Sequence, residues 1–132
     1  MILVDTSVMI DFLKGKDSEQ TNKLVNIIQG ELPFGINPFI YQEILQGVSG
    51  ENDYKLLKKY LDTQRFYYLQ NGNESYANAA LMYFKCRKEG ITIRNSIDVI
   101  IALTAIENSL FLLHNDNDFY NIQKVFSKLI FY

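Results

Sequence analysis

Apolar residues along this chain alternate between two periods. Short continuous runs are separated by stretches in which apolar residues recur every three or four positions, the pattern of strands interleaved with helices. Residues 2–5 open with Ile2-Leu3-Val4 and predict a buried first strand. Thr6 and Ser7 can cap a helix from Val8 to about Lys14, which Gly15 stops. Asp17-Ser18 offers a second cap for a helix carrying Leu24, Ile27 and Ile28 and ending at Gly30. Phe34-Gly35-Ile36-Asn37 predicts a second strand, and Pro38 suits the first turn of a helix running to about Gln46-Gly47. A helix over Asp53–Leu61, a strand at Phe66–Leu69 and a long helix from Asn73 to about Glu89 follow. The stretch from Ile97 to about Asn108 is apolar nearly all round and predicts a sandwiched helix. Leu110–Leu113 predicts a fourth strand, Asp118 to about Phe126 a short helix, and Leu129–Tyr132 a fifth strand.

Strands alternating with helices imply right-handed crossovers and an α/β sandwich around a parallel sheet. In such sheets ligands bind outside the carboxyl ends of the strands. Asp5 ends the first apolar run and Asp116 follows the fourth, so both belong at that edge. Asp98, in the first turn of the apolar helix, points the same way. Glu43 joins them if the helix after Pro38 packs beside the first strand with Glu43 turned inward.

Composition narrows the chemistry. The 132 residues fit one domain spanning 1–132, with no linker, repeat or low-complexity segment. Apolar residues make up 48% and charged residues 21%, an ordinary globular balance. The formal net charge of −2 excludes a general basic surface for nucleic acid, so any such substrate is held locally or through bound metal. Cys86 is the one cysteine and has no internal disulfide partner, which suits a reducing, cytoplasmic setting. No signal peptide is expected, because Met1 leads directly into a strand. No apolar run is long enough to span a membrane.

Each acid also has a plainer reading. Asp5 could cap the first helix, although Thr6 or Ser7 can take that role and free it. Asp98 could simply favour the positive end of its helix. In His114-Asn115-Asp116-Asn117-Asp118, Asp116 could sit in an ordinary Asx turn with Asp118 as the cap. An exposed helical Glu such as Glu43 is common. The case for function rests on the set: acids gathered in one pocket repel one another, and divalent cations offset that repulsion. A lone His114 reads as a structural hydrogen-bonder, and there is no His/Cys cluster for zinc. No phosphate-cradling Gly-rich loop or G-x-S-x-G elbow is present. Ser7 and Ser96 lack a partner base and are expected to donate hydrogen bonds to a carboxylate or to water near it. Arg94 could meet a phosphate or simply be solvated.

The four acidic segments together resemble a known family. Ile2-Leu3-Val4-Asp5-Thr6-Ser7 is similar to the opening of PIN domains, especially the VapC-type toxins of bacterial toxin–antitoxin pairs. Gln42-Glu43-Ile44-Leu45-Gln46-Gly47 is similar to their second acidic segment. Arg94-Asn95-Ser96-Ile97-Asp98-Val99-Ile100-Ile101-Ala102 is similar to the third, and Leu112-Leu113-His114-Asn115-Asp116-Asn117-Asp118-Phe119 to the fourth. The resemblance implies a PIN fold, a parallel sheet of four or five strands between helices. It implies endoribonuclease activity dependent on Mg²⁺ or Mn²⁺. Asp5, Glu43, Asp98 and Asp116 would be the catalytic metal ligands, with Asp118 as a fifth acid and Thr6 or Ser7 assisting. A homodimer and a cognate antitoxin protein whose C-terminal segment lies in the active-site groove are implied as well. Asn95-Ser96 stands where relatives often carry Gly-Thr or similar small residues, a departure expected to alter the surroundings of the acids and not the reaction class.

Hydrolysis of RNA by such a site uses water as nucleophile and leaves 5′-phosphate and 3′-hydroxyl ends. Two rivals remain. An aspartyl-phosphate enzyme would carry a partner acid two residues after its nucleophile, whereas Asp5 is followed by Thr6-Ser7. A non-catalytic PIN-like module that binds RNA or protein would keep the fold without turnover.

Overall fold

The computed structural model describes all 132 residues. Five short strands form one sheet: β1 (Ile2–Val4), β2 (Phe34–Ile36), β3 (Arg65–Phe66), β4 (Phe111–Leu113) and β5 (Ile130–Phe131). The spatial order is β3-β2-β1-β4-β5, and every pairing is parallel. Seven helices connect them: α1 (Thr6–Leu13), α2 (Glu19–Gln29), α3 (Pro38–Gln46), α4 (Glu51–Leu61), α5 (Asn73–Lys88), α6 (Ser96–Glu107) and α7 (Asn117–Val125).

The chain steps from β1 to β2 to β3 in one direction, then returns past β1 to β4 and β5. With right-handed crossovers, α1–α4 therefore cover one face and α5–α7 the other. The reversal lies between β1 and β4, whose register pairs Ile2 with Phe111 and Val4 with Leu113. A crevice opens beyond the carboxyl ends of such a pair. The residues entering it are Asp5 after β1 and the segment from His114 after β4.

The core explains why the elements hold. Leu3, Val4, Leu112 and Leu113 are fully buried in the central strands. Helix α6 buries Val99, Ile101, Ala102, Leu103 and Ala105, as its all-round apolar pattern predicts. Gly35 is needed in β2, because a Cβ there would collide with the Arg65 carbonyl oxygen and the Tyr67 ring. Cys86 is fully buried and behaves as a small core residue.

Two expectations shift. The third strand is Arg65–Phe66, not Phe66–Leu69. The Tyr67 N–H still donates to the Ile36 carbonyl at 2.8 Å, but Tyr68 then leaves the sheet and its carbonyl accepts from Asn108 at 2.9 Å. Helix α1 begins at Thr6, with Asp5 as its cap: the Asp5 carboxylate accepts from the Ser7 N–H at 3.0 Å. Asp5 is thus both a cap and a resident of the crevice, although Thr6 and Ser7 are the caps the sequence predicts.

Candidate active site

Side chains capping three helices converge on this crevice. Asp5 caps α1, Asn95 caps α6 through the Ile97 N–H at 3.0 Å, and Asp116 caps α7 through the Asp118 N–H at 2.9 Å. A capping carboxylate spends one oxygen on its helix and keeps the other for the crevice. The resulting cavity, of about 350 Å³, is lined by Asp5, Thr6, Ser7, Glu43, Arg94, Asn95, Asp98, Asp116 and Asp118, with no hydrophobic residue among them. A larger groove of about 410 Å³ lies between α5, α6 and α7, but it carries no acid.

The expected acids Asp5, Glu43, Asp98 and Asp116 all line this one cavity, and Asp118 joins them. Asp98, Asp116 and Asp118 each offer an oxygen within 4.8 Å of the others, the closest grouping of the set. Asp5, Asp98 and Asp118 are buried, with Asp98 8% exposed. Burial pushes the Asp98 carboxyl up to about 7, and the charges of Asp5, Asp116, Asp118 and Glu43 push the same way. Asp98 is the hub of the group, since it feels the other four acids. Burial also raises Asp5 to about 6, against the lowering effect of two hydrogen bonds from Ser7.

Hydroxyls hold two of the acids. The Thr6 Oγ1 donates to Glu43 Oε1 at 2.9 Å. The Ser7 Oγ donates to Asp5 Oδ2 at 2.6 Å and accepts the Asn115 N–H at 3.0 Å, which joins α1 to the segment bearing Asp116. His114 supports the same segment: its Nδ1 accepts the Asp116 N–H at 3.2 Å. The ring is packed against Phe119, Tyr120 and Phe131 at centroid distances of 5.0, 4.7 and 4.3 Å. Burial holds its pKa down at about 4, so it is neutral at physiological pH and acts as an acceptor.

Two roles differ from the sequence reading. Ser96 does not reach the acids. It is exposed at the start of α6 and borders a separate apolar cleft with Tyr76, Ala79, Tyr83, Val99 and Ile100. Asn95 takes the place in the cavity that Ser96 was assigned, because Asn95 and not Ser96 caps the helix. Asp118 is not the cap of α7. It is buried in the first turn, and its Oδ2 accepts from the Arg94 N–H at 3.2 Å and Nε at 3.3 Å. Arg94, ambiguous in sequence, also places Nη2 3.2 Å from Asp116 Oδ1.

The donor set fits a hard divalent cation. It consists of carboxylates and hydroxyls with no thiolate and no imidazole facing the cavity, the ligand chemistry of Mg²⁺ and Mn²⁺. Burial first, and the charges of neighbouring acids second, raise the proton affinity of Asp5 and Asp98, a penalty that a bound cation would offset.

Known proteins resemble this chain over nearly its whole length. VapC ribonuclease Mb1587 of Mycobacterium bovis is 26% identical over 126 residues, covering 95% of this chain and 93% of that protein. Ribonuclease VapC11 of Mycobacterium tuberculosis H37Rv matches with the same identity and coverage. Among solved structures, VapBC2 from Rickettsia felis bound to a DNA fragment of its promoter superposes with a TM-score of 0.74 at 14% identity, over 100% of this chain and 98% of that one. FitAcB from Neisseria gonorrhoeae does so at 0.70 and 18%, over 100% and 97%. These structural likenesses bear on the fold: a parallel five-stranded sheet between helical layers. The family model for the PIN domain matches residues 2–125, and this chain belongs to the PIN domain family.

Proposed function

We propose that this protein is a Mg²⁺- or Mn²⁺-dependent endoribonuclease and the toxin of a toxin–antitoxin pair. The observation that carries the reading is the gathering of Asp5, Glu43, Asp98, Asp116 and Asp118 in one polar cavity at the sheet's reversal point. The names of the relatives, VapC ribonucleases, support the reaction. The solved neighbours, VapBC and FitAB assemblies bound to DNA, support an antitoxin protein as partner. A homodimer is part of the same proposal, as is a cytoplasmic setting; no helix is long and apolar enough to cross a membrane.

Asp5, Glu43, Asp98 and Asp116 would hold the cation, with Asp118 as the fifth acid. When bound, a divalent cation supplies neutralisation of the charge that develops on a phosphodiester and lowers the pKa of water beside it. The chain's own part is placement. Ser7 and the turn of α1 fix Asp5, Thr6 fixes Glu43, and His114 fixes the backbone of Asp116. Burial keeps Asp98 a poor ion unless a cation joins it. The two hydroxyls in the cavity, of Thr6 and Ser7, donate to Glu43 and Asp5, which leaves direct attack to water.

The test is cleavage of a cellular RNA pool by antitoxin-free protein with Mn²⁺ or Mg²⁺, with EDTA, and with Asp98→Asn. Discrete fragments with 5′-phosphate ends, lost in both controls, support the reading. Folded protein that binds RNA but leaves it intact under every condition favours the non-catalytic module, and 2′,3′-cyclic phosphate ends reject the metal mechanism.

A further inference from the structure

Arg94 is the one cation among the nine residues of the acidic cavity. Its backbone N–H and its Nε are both bound to Asp118 Oδ2, at 3.2 and 3.3 Å, and its Nη2 reaches Asp116 Oδ1 at 3.2 Å. Asp116 and Asp118 are also two of the three acids whose oxygens lie within 4.8 Å of one another. The guanidinium therefore contacts the same carboxylates a divalent cation would claim. Its side chain is 71% exposed, while Asp118 is only 6% exposed. The charge is tethered at its base by the backbone bond to Asp118, and its head is free to leave at little cost in burial.

We propose that Arg94 is a built-in stand-in for the metal: its guanidinium neutralises Asp116 and Asp118 in the metal-free protein, is displaced when a divalent cation binds, and then takes a phosphate of the RNA. The inference rests on the metal-dependent ribonuclease reading and assigns that site a further residue. Three features of the chemistry support it. A guanidinium and a divalent cation on the same two oxygens repel each other, so one excludes the other. A guanidinium forks onto phosphate as readily as onto carboxylate, so its release creates a phosphate-binding group beside the acids. Arg94 is the one cationic side chain lining the cavity, so a phosphate brought to the acids meets no other positive group in that lining.

The sign of one measurement separates this role from a structural one. If Arg94 only braced the Asp116–Asp118 turn, removing it would loosen the acids and weaken metal binding. If it competes with the metal, removing its charge tightens metal binding. Mn²⁺ titration by calorimetry on EDTA-stripped full-length protein gives the answer, with Arg94→Gln and Arg94→Lys beside the wild type. Arg94→Gln is expected to lower the Mn²⁺ Kd about tenfold, because binding the ion no longer costs the ion pairs that hold the guanidinium on Asp116 and Asp118. Arg94→Lys, which keeps the charge, stays within about twofold of wild type. Fluorescence anisotropy with a non-cleavable 2′-O-methyl phosphorothioate RNA pool in saturating Mn²⁺ is expected to show Arg94→Gln binding at least fivefold more weakly. An unchanged or raised Mn²⁺ Kd in Arg94→Gln overturns the competition, and unchanged RNA affinity overturns the handover to phosphate. Absence of Mn²⁺ binding by the wild type itself rejects the metal reading and this inference with it, whereas failure confined to the variant rejects the inference alone.

Discussion

The Thr6 hydroxyl donates to Glu43 Oε1 across 2.9 Å, joining the first turn of α1 to the middle of α3. The two residues are 37 positions apart in sequence, yet this contact decides where the Glu43 carboxylate points. Glu43 is half-buried and has no other hydrogen-bond donor. A carboxylate held by one hydroxyl keeps a single orientation, and a carboxylate without it samples several.

Thr6→Val, nearly isosteric, is therefore expected to lower kcat/KM about tenfold or more, in the range of outer-shell ligand mutations, while the melting temperature moves by only a few degrees. Thr6→Ser should restore most of the activity. Steady-state cleavage and a thermal melt on the same preparations check both halves. A large loss of stability in Thr6→Val would show the contact to be structural.

The raised carboxyls give the metal-free protein an unusual pH dependence. Asp5 titrates at about 6 and Asp98 at about 7 in the fold, against 3.8 in the unfolded chain. Between pH 4 and about 7 the folded state holds protons that the unfolded state has released, so stability falls as pH rises through this window. Above it the penalty is constant, and below pH 4 it vanishes. Asp98→Asn removes one of these charges. In EDTA at pH 8 the variant is expected to melt higher than wild type by about 5 °C, corresponding to about 1–2 kcal/mol. It should also lose cleavage and most of the Mn²⁺-induced shift in melting temperature. Melting curves at pH 5, 6, 7 and 8, with and without Mn²⁺, test the sign directly. A rise of wild-type stability across this range, with Asp98→Asn following in parallel, would sink it.

His114 acts in the opposite sense. Its pKa in the fold is about 4, against 6.5 in the unfolded chain, so acid charges the imidazole only after unfolding. This contribution is intact above pH 6.5 and is lost as pH falls from 6.5 to 4. His114→Phe keeps a ring against Phe119, Tyr120 and Phe131 but removes the acceptor of the Asp116 N–H. The expected result is a stability difference, wild type over variant, that shrinks as pH drops from 7 to 4. The variant should also lose activity at pH 7.5, because the Asp116 turn is no longer pinned. The difference curve isolates His114 from Asp5 and Asp98, whose effects run the other way over the same pH range.

The elements and the four acid-bearing segments were legible because each carried a local signal. Ile2–Val4 is a short apolar run ending at Asp5, Leu110–Leu113 is another with Asp116 three residues beyond it, Pro38 marks a helix start, and α6 is apolar all round. What local pattern could not decide was which of two adjacent polar residues caps a helix. Asp116 and Asp118 stand two apart and either could cap α7. Arg94, 24 residues away, draws Asp118 inward, while His114, two residues away, pins the Asp116 backbone. Likewise Asn95 and Ser96 are both good caps, and the choice of Asn95 makes Ser96 the first residue of α6. The edge of β3 failed for the same reason: Tyr67-Tyr68-Leu69 has strong strand propensity, but Asn108 captures the Tyr68 carbonyl and turns the chain away.

The two serines near the acids now make opposite predictions. Ser7 Oγ bridges Asp5 and the Asn115 N–H, at 2.6 and 3.0 Å, so Ser7→Ala removes one of the two bonds holding Asp5 and leaves the Asn115 amide without its partner. The Asp5 carboxyl then titrates higher still, because a hydrogen bond to its ionised form is gone. Cleavage at pH 6.5 should suffer more than cleavage at pH 8.5, where Asp5 is ionised with or without the bond. An overall loss of about 10- to 100-fold in kcat/KM is expected at the lower pH. Ser96 lies two residues before Asp98 on α6, about 200° around the helix axis, so its side chain faces away from the acids. Ser96→Ala is expected to leave kcat/KM within about twofold at both pH values and the Mn²⁺ midpoint unchanged. Equal losses in the two serine variants would place Ser96 beside the acids after all; a loss in Ser7→Ala that does not ease with rising pH would show that the hydroxyl matters for the Asn115 turn and not for the charge on Asp5.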